Sequence, residues 1–195
     1  MGNKGRNVIK AAVWCMLTCI WMLVIFLLSA RNADESTEDS NRVGMFIGKI
    51  FVSGFEDMSE AEKLEFAEKI EYPVRKAAHA TEYAVLAVLS FASVNALCGV
   101  KGKGCTEKDE ESEGKRNSGG NDEGSFLSNK LMLLLAWAWT VVYACTDEIH
   151  QLFVPGRSGQ LTDVLIDSAG AGMGLLFCVL LRLIVARRIK KKSSQ

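Results

Sequence analysis

The sequence lacks the short fingerprints of the common soluble nucleotide-binding and hydrolase folds. It contains no glycine-rich dinucleotide or phosphate loop, no G-x-S-x-G and no H-E-x-x-H. Its six cysteines include no C-x-x-C pair that would suggest a metal site. Basic residues cluster at the two ends of the chain, and these clusters form no nucleic-acid-binding pattern. The sequence therefore argues against those soluble enzyme classes and against a nucleic-acid partner. It does not identify a cofactor.

Long apolar stretches are abundant instead. Four of them, at 8–30, 74–100, 131–154 and 164–186, are long enough to cross a bilayer, which takes about 20 mostly apolar residues. The composition predicts an all-α integral membrane protein, a four-helix bundle in contact with membrane lipids.

Charge divides the chain around these stretches. Residues 1–30 form the first predicted transmembrane helix, whose apolar run is too long for an ordinary signal peptide, so we expect it to be retained. Residues 31–73 hold 5 basic and 11 acidic residues and are predicted to be external. A core of three spans follows at 74–186, with a disordered cytoplasmic loop at 101–129. Because Lys and Arg mark the cytoplasmic side, the basic start and the tail at 187–195 predict cytoplasmic termini.

The external segment has one helical signal. Residues 59–62, S-E-A-E, form a capping box, and Leu64, Ala67 and Ile70 follow near helical spacing. This pattern predicts a short external amphipathic helix, either lying at the membrane surface or covering a site beneath it.

Ionisable side chains within the apolar stretches are the most informative feature. Each costs roughly 2.5–3.5 kcal/mol at the bilayer centre, so their accumulation needs a reason. In the second, third and fourth spans they fall at helical spacings and at similar depth, near the outer surface. Tyr83 also suits an interfacial aromatic position. The side chains predicted to share one cavity open to the outer leaflet are Arg75, His79, Glu82, Tyr83, Asp147, Glu148, Gln151, Arg157, Asp163 and Asp167.

The same positions carry a family resemblance. Residues 75–83, R-K-A-A-H-A-T-E-Y, resemble the R-K-x-x-H-x-x-E-Y signature of the VanZ-like family. Residues 143–151, Y-A-C-T-D-E-I-H-Q, resemble its Y-A-x-x-D-E-x-x-Q signature, and residues 156–163 resemble its G-R-x(5)-D signature. Asp167 departs from the pattern, which has Asn there in many members. The resemblance implies a multi-pass protein of the bacterial plasma membrane, in a family associated with teicoplanin resistance, without implying a reaction.

The chemistry of the predicted site has three interpretations. In the first, the protein is an enzyme: His79 acts as a general base oriented by Glu82 or Asp147, with Glu148 as a further catalytic carboxylate. The arginines Arg75 and Arg157 would then bind the phosphate or carboxylate of an envelope lipid or cell-wall precursor. A metal held by the same His, Glu and Asp side chains is a weaker variant, because no diagnostic ligand spacing is present.

The second interpretation is a non-catalytic binding or transport module, since buried acidic and histidine side chains also mark ion and proton paths. Four spans are few for a lone transporter, so this hypothesis would require an oligomer. The third interpretation is purely structural, a network of ion pairs in which Arg75 contacts Glu82 and Arg157 contacts Asp163.

Overall fold

The computed structural model describes residues 3–101 and 121–192, which are almost entirely helical. Five α-helices follow one another, with a short 3-10 turn at Phe55–Asp57 between the second and the third. The helices are α1 at Asn3–Ser29, α2 at Ala33–Phe51, α3 at Glu60–Lys101, α4 at Asn121–Gln151 and α5 at Leu161–Lys192. No strand occurs in the described part of the chain, and the predicted all-α class is confirmed.

Four of the helices are long and apolar enough to cross a membrane. These candidate spans are Lys4–Ser29 in α1, Glu60–Val100 in α3, Asn129–Gln151 in α4 and Leu161–Ile189 in α5. Large apolar side chains on their outer faces are exposed, as a surface in contact with lipid requires. The prediction of a multi-pass helical bundle is confirmed.

α3 is the central helix of the bundle, because the other four helices all pack against it. Phe91 and Ala87 of α3 pack in one apolar cluster with residues of α4 and α5. Leu86 and Tyr83 form a second cluster that includes Ile25 of α1. The position of α3 explains why one helix can contribute side chains to sites on several sides of the bundle.

Two glycines let α5 approach α3 closely. A Cβ atom at Gly170 would collide with the backbone carbonyl of Ala80, and one at Gly174 would lie 2.5 Å from the carbonyl oxygen of Ala84. Small residues at such a helix contact allow backbone-to-backbone packing within membranes. The face of α5 that carries Gly170 and Gly174 therefore forms the interface with α3.

α1 packs in the bundle, mainly along α3. Thr18 and Ser93 share a buried hydrogen bond of 2.9 Å, and Nε1 of Trp21 donates to the carbonyl oxygen of Glu82 at 2.9 Å. The hydroxyl of Tyr143 on α4 donates to a carbonyl of α1 at 2.6 Å. α1 is thus a structural wall of the bundle, as the sequence predicted.

The external segment differs from its prediction in one respect. The capping box does form, with the Ser59 amide donating to Oε2 of Glu62 at 2.8 Å. The helix that it starts is not a separate short helix, because it continues through Pro73 to Lys101 as α3. A proline removes one helical hydrogen bond, and the helix remains continuous where packing supports both sides of it.

The separate amphipathic helix is α2, which the sequence analysis did not predict. Its N-cap is Asn32, whose side chain accepts a hydrogen bond from the Glu35 amide at 2.9 Å. Its buried face carries Gly44, which packs against Ala67 of α3, and Gly48, which packs against Phe55. Small residues on one face let α2 lie close along the first turns of α3.

The predicted loop at 101–129 lies mostly outside the described residues. Residues 102–120 are not described, and α4 already begins at Asn121. The last residues assigned to that loop are thus helical and precede the third span.

Candidate functional site

One end of the bundle is built from two turns that are hydrogen-bonded to each other. One turn joins α1 to α2, and the other is the loop at 152–160 between α4 and α5. Nε of Arg157 donates to the carbonyl oxygen of Arg31 at 3.3 Å, and the Ala33 amide donates to that of Pro155 at 3.3 Å. We call this the turn end, and the opposite end, which holds the N-terminal part of α1 and the C-terminal part of α5, the terminal end.

A cavity of about 180 Å³ lies at the turn end, between α1, α2, α3 and the 152–160 loop. We call it the polar cavity, and its ionisable lining residues are Arg31, Asp39, Arg75, His79, Glu82 and Arg157. The three that belong to α3 are spaced i, i+4 and i+7, so they share one face of that helix. The structure therefore brings together four of the predicted site residues, three from α3 and one from the loop.

Two of the arginines in the polar cavity have carboxylate partners. Arg31 forms an ion pair with Asp39 of α2. Nη1 of Arg75 lies 3.2 Å from Oε1 of Glu71, one helical turn earlier on α3. The pairing of Arg75 with Glu82, considered above for a structural network, is not formed.

Arg157 carries a half-buried positive charge at the edge of the polar cavity. Among the described residues, no carboxylate lies within ion-pair distance of its guanidinium. Burial lowers the pKa of Arg157, and the positive charge of Arg75 lowers it further. A guanidinium starts so far above neutrality that it stays protonated. The Arg157 side chain can therefore still bind an anion.

Four of the predicted acidic residues do not line the polar cavity. Asp147, Glu148 and Asp167 are almost fully buried, at 3%, 7% and 2% exposure. Nζ of Lys76 lies 2.5 Å from Oδ1 of Asp163, so these two residues form an ion pair. The pairing of Asp163 with Arg157, considered above for a structural network, is not formed. We call Asp147, Glu148, Asp163 and Asp167 the carboxylate cluster.

Hydrogen bonds connect the carboxylate cluster to neighbouring segments. Oε2 of Glu148 accepts from the Gln160 amide at 2.8 Å, which ties the end of α4 to the start of α5. Nε2 of Gln151 donates to Oδ2 of Asp147 at 3.2 Å and to Oγ of Ser29 at 3.0 Å. The cluster therefore holds the ends of α1, α4 and α5 together.

Tyr83 is completely buried, so its predicted interfacial position is wrong. It packs with Ile25, Leu86 and Ala144, and its ring centroid lies 6.3 Å from that of Tyr143. α3 is surrounded by other helices at this level, which removes Tyr83 from the membrane surface. Among the described residues its hydroxyl has no hydrogen-bond partner.

Two glycines shape the loop that presents Arg157. Gly156 has φ of 74°, a left-handed conformation that glycine adopts without strain. A Cβ at Gly159 would collide with the backbone carbonyl of Glu148. The two glycines of the sequence G-R-S-G at 156–159 therefore shape the turn that positions Arg157.

A larger apolar depression adjoins the polar cavity. Its volume is about 790 Å³, and it runs between α1, α2 and α3. We call it the apolar groove, and its apolar lining includes Val43, Ile47, Ile70, Val74 and Val85. The groove shares Asp39, Ser40, Ala78 and Glu82 with the polar cavity, so the two form one continuous amphipathic depression.

Comparison with known families identifies the family of the chain. The family model described as VanZ/LLP1 matches residues 14–182, most of the chain. The chain belongs to the VanZ/LLP1 family. Neither the comparison with curated proteins nor that with solved structures finds a match. All three sequence motifs of this VanZ/LLP1 protein lie within the matched range.

Sequence reasoning missed several residues at the turn end. Arg31 and Asp39 line the polar cavity, and Lys76 pairs with Asp163. Lys76 stands within the R-K motif and could have been assigned as a partner for the buried acids. Asp39 could not, because only the folding of α2 against α3 brings it to the cavity.

The metal variant of the site receives no support from the described residues. Within residues 3–101 and 121–192, no three His, Cys, Asp or Glu side chains converge as metal ligands. His79 and Glu82 line the polar cavity, whereas Asp147 and Glu148 belong to the carboxylate cluster.

Proposed function

We propose that this VanZ/LLP1 protein binds an envelope lipid that carries an anionic, phosphate-type headgroup. The observation that carries the proposal is the continuity of the polar cavity with the apolar groove. A single ligand that fills both parts must be polar at one end and apolar along the rest, which is the chemistry of a lipid.

The polar cavity favours an anion. Three guanidinium groups and an imidazole line it, against two carboxylates. Guanidinium groups bind phosphate and carboxylate through two parallel hydrogen bonds, which makes arginine the preferred residue for such headgroups. Because Arg157 has no carboxylate partner among the described residues, its charge is available to a ligand.

The apolar groove favours a hydrocarbon chain. Its valine and isoleucine side chains belong to α2 and α3. An acyl or polyprenyl chain in contact with these side chains would remain in an apolar environment while the headgroup reaches the cavity.

Orientation follows from charge. We infer that both termini lie in the cytoplasm of a bacterium, since basic residues flank the ends of the chain and the segment 31–73 is acidic. The turn end then faces the outer leaflet, where cell-wall precursor lipids are used. Binding of such a lipid would connect this protein with the glycopeptide (teicoplanin) resistance of its family. Reporter fusions at residue 50 and at the C-terminus should report opposite sides, and the same side for both would contradict this orientation.

Acid–base chemistry on the bound lipid is the second candidate function. Nδ1 of His79 lies 3.7 Å from Oε2 of Glu82 within the polar cavity, and His79 is within electrostatic range of Asp147. An imidazole oriented by a carboxylate is a common general base. Turnover of a lipid that copurifies with the protein, lost in a His79→Gln variant that still binds the lipid, would establish this function.

Lipid binding is tested directly by native mass spectrometry of the detergent-purified protein. Lipids that copurify are identified, and an anionic glycerophospholipid is then titrated. Arg157→Gln should weaken binding about 10–100-fold, since a hydrogen bond to a charged group contributes about 1.5–3 kcal/mol. Arg188→Gln on α5 removes the same charge outside the cavity and serves as the matched control. Equal binding by wild type and the Arg157 variant would refute the proposal.

The groove is tested separately with Ala77→Phe, because Ala77 lines the groove but not the polar cavity. This variant should weaken binding of a long-chain lipid and leave binding of a short-chain analogue with the same headgroup unchanged. Equal loss for both chain lengths would show that the hydrocarbon chain does not occupy the groove.

A further inference from the structure

A second cavity lies at the terminal end of the bundle. Its volume is about 290 Å³, and it is bounded by the first turns of α1, the last turns of α3, and α5. We call it the terminal cavity, and its polar and aromatic lining residues are Asn7, Lys10, Trp14, Asn95 and Arg182. It shares no lining residue with the polar cavity or the apolar groove.

The polar cavity and the terminal cavity are separated along α3 by nearly the thickness of a membrane. Asn95 follows His79 by 16 residues on the same helix. At a rise of about 1.5 Å per residue this is roughly 24 Å, compared with about 30 Å for the hydrocarbon core. The terminal cavity therefore faces the opposite leaflet from the polar cavity.

The charge of the terminal cavity is of one sign. Lys10 and Arg182 are its ionisable lining residues, and no acidic side chain lines it. Within the described ranges, neither cation forms an ion pair with a carboxylate. The guanidinium of Arg182 instead lies 4.5 Å from the ring centroid of Phe91, a cation–π contact that positions it at the cavity wall.

The remaining lining residues suit a headgroup at the membrane boundary. Side-chain amides of Asn7 and Asn95 can donate hydrogen bonds to phosphate oxygens. Trp14 is an amphipathic side chain of the kind enriched at the bilayer interface. Lys10 is the last charged residue before the apolar run of α1, so the cavity lies where polar surface meets hydrocarbon.

We propose that the terminal cavity binds the phosphate of an anionic phospholipid from the leaflet on the side of the chain termini. Two cations and two amides would bind the phosphate, and the acyl chains would extend along the exposed apolar faces of α1 and α5. Soluble phosphate shares the headgroup chemistry and lacks the chains, so the two sources can be separated by experiment. This proposal does not depend on the function proposed for the turn end.

The experiment is native mass spectrometry of the full-length protein in detergent, titrated with dioleoyl-phosphatidylglycerol, with dioleoyl-phosphatidylcholine and with inorganic phosphate. The double variant Lys10→Gln/Arg182→Gln should lose about tenfold or more in affinity for one phosphatidylglycerol, with little change for phosphatidylcholine. The double variant Arg187→Gln/Arg188→Gln removes the same charge from α5 beyond the cavity and should bind as wild type does. If both double variants lose the same affinity for phosphatidylglycerol, binding depends only on the overall positive charge of this end of the protein. That result would overturn the proposed site.

Shape is tested independently of charge. Ala96→Leu places a larger side chain in the cavity wall and should weaken phosphatidylglycerol binding without removing a cation. Retained affinity in this variant would overturn the proposal, as would displacement of the lipid by millimolar inorganic phosphate, which would identify a soluble anion as the ligand.

The experiments distinguish a wrong proposal for the terminal cavity from a wrong proposal for the polar cavity at the turn end. Arg157→Gln should remove a different binding event, and its effect should add to that of Lys10→Gln/Arg182→Gln, since the two sites share no residue. If the Arg157 variant alone abolishes all phosphatidylglycerol binding, the terminal cavity binds none and the proposal is wrong.

Discussion

The polar cavity and the carboxylate cluster lie at the same end of the bundle, but they differ in what their charges contact. Three of the four acids in the cluster have a partner supplied by the protein: Lys76 for Asp163, the Gln160 amide for Glu148 and the Gln151 side chain for Asp147. The polar cavity instead holds Arg157, which has a backbone carbonyl as its hydrogen-bond acceptor. Charges paired within the fold are occupied by protein partners, whereas a charge left at a cavity surface is available to a ligand.

Adjacent residues on α3 create this division. Arg75 lines the polar cavity and its neighbour Lys76 pairs with Asp163 of α5. Successive residues of a helix point about 100° apart, so one dipeptide can supply cations to two sides of the same helix. The R-K motif therefore serves both regions, and substitutions at its two positions should have different consequences.

The largest expected effect is on stability, at the carboxylate cluster. Lys76→Met leaves the mostly buried Asp163 without its cation, and we expect the free energy of unfolding to fall by about 3–5 kcal/mol. Unfolding in detergent, followed by circular dichroism, measures the change. Lys69→Met is the matched control, because Lys69 pairs with Glu65 at the surface and such a pair contributes about 0–1 kcal/mol. Equal losses in the two variants would contradict the assigned difference.

The contact between α3 and α5 should show the next largest effect. Gly170→Ala places a Cβ against the Ala80 carbonyl, and such overpacking costs about 1–3 kcal/mol. Gly172→Ala on the same helix is the control, since its added Cβ would have its nearest neighbour at 3.9 Å. The same unfolding measurement should show loss for the first variant and little change or a small gain for the second. A stable Gly170 variant would mean that the helices can separate freely.

At the polar cavity the expected effect is on binding and not on stability. His79→Ala should lower affinity for an anionic lipid by about tenfold, the contribution of one charge-assisted hydrogen bond. Its melting temperature should stay near that of wild type, because Nδ1 of His79 lies 3.7 Å from Oε2 of Glu82, too far for a hydrogen bond that the variant would lose. Thr146→Ala on α4 is the control, since the Thr146 hydroxyl donates to the Tyr143 carbonyl of its own helix and lines neither the polar cavity nor the apolar groove. If the variant is destabilised but binds the lipid as wild type does, His79 has a structural role and does not bind the headgroup.

The smallest effect is expected at the surface, between α2 and the 3-10 turn. The ion pair and hydrogen bond with Lys49 hold the pKa of Glu56 below its ordinary value. Because that pKa is lowered, the stabilisation is present above the unfolded-state value near 4.5 and is lost as pH falls through the folded-state value. An NMR titration of Glu56 should move to higher pH in Lys49→Gln. An unchanged midpoint would show that the pair does not form in solution.

Much of the fold was predictable because hydrophobic length and charge are local properties. The four spans and the capping box at Ser59 follow from composition or spacing within a single segment. α2 was missed because its polar composition resembles that of a solvated segment. Its small residues acquire a role only when Ala67 and Phe55 lie against them.

For the candidate site too, the features that lie within one helix were predictable, and the contacts between helices were not. Helical spacing put Arg75, His79 and Glu82 on one face, and the motifs named the other residues. Sequence spacing could not separate the cavity from the cluster, because that division depends on which helix lies beside each face of α3. Arg31 and Asp39 were not assigned for the same reason.

The sequence by itself determined that the chain is a helical membrane protein of the VanZ/LLP1 family with ionisable side chains concentrated near one end. Hydrophobic runs, caps and motif spacing encode these properties within single segments, so no contact between segments is needed to recognise them. The tertiary structure decided which charges are paired within the fold and which line a cavity. The physical reason is that an ion pair depends on distances of a few ångströms between helices, and only packing around α3 sets those distances.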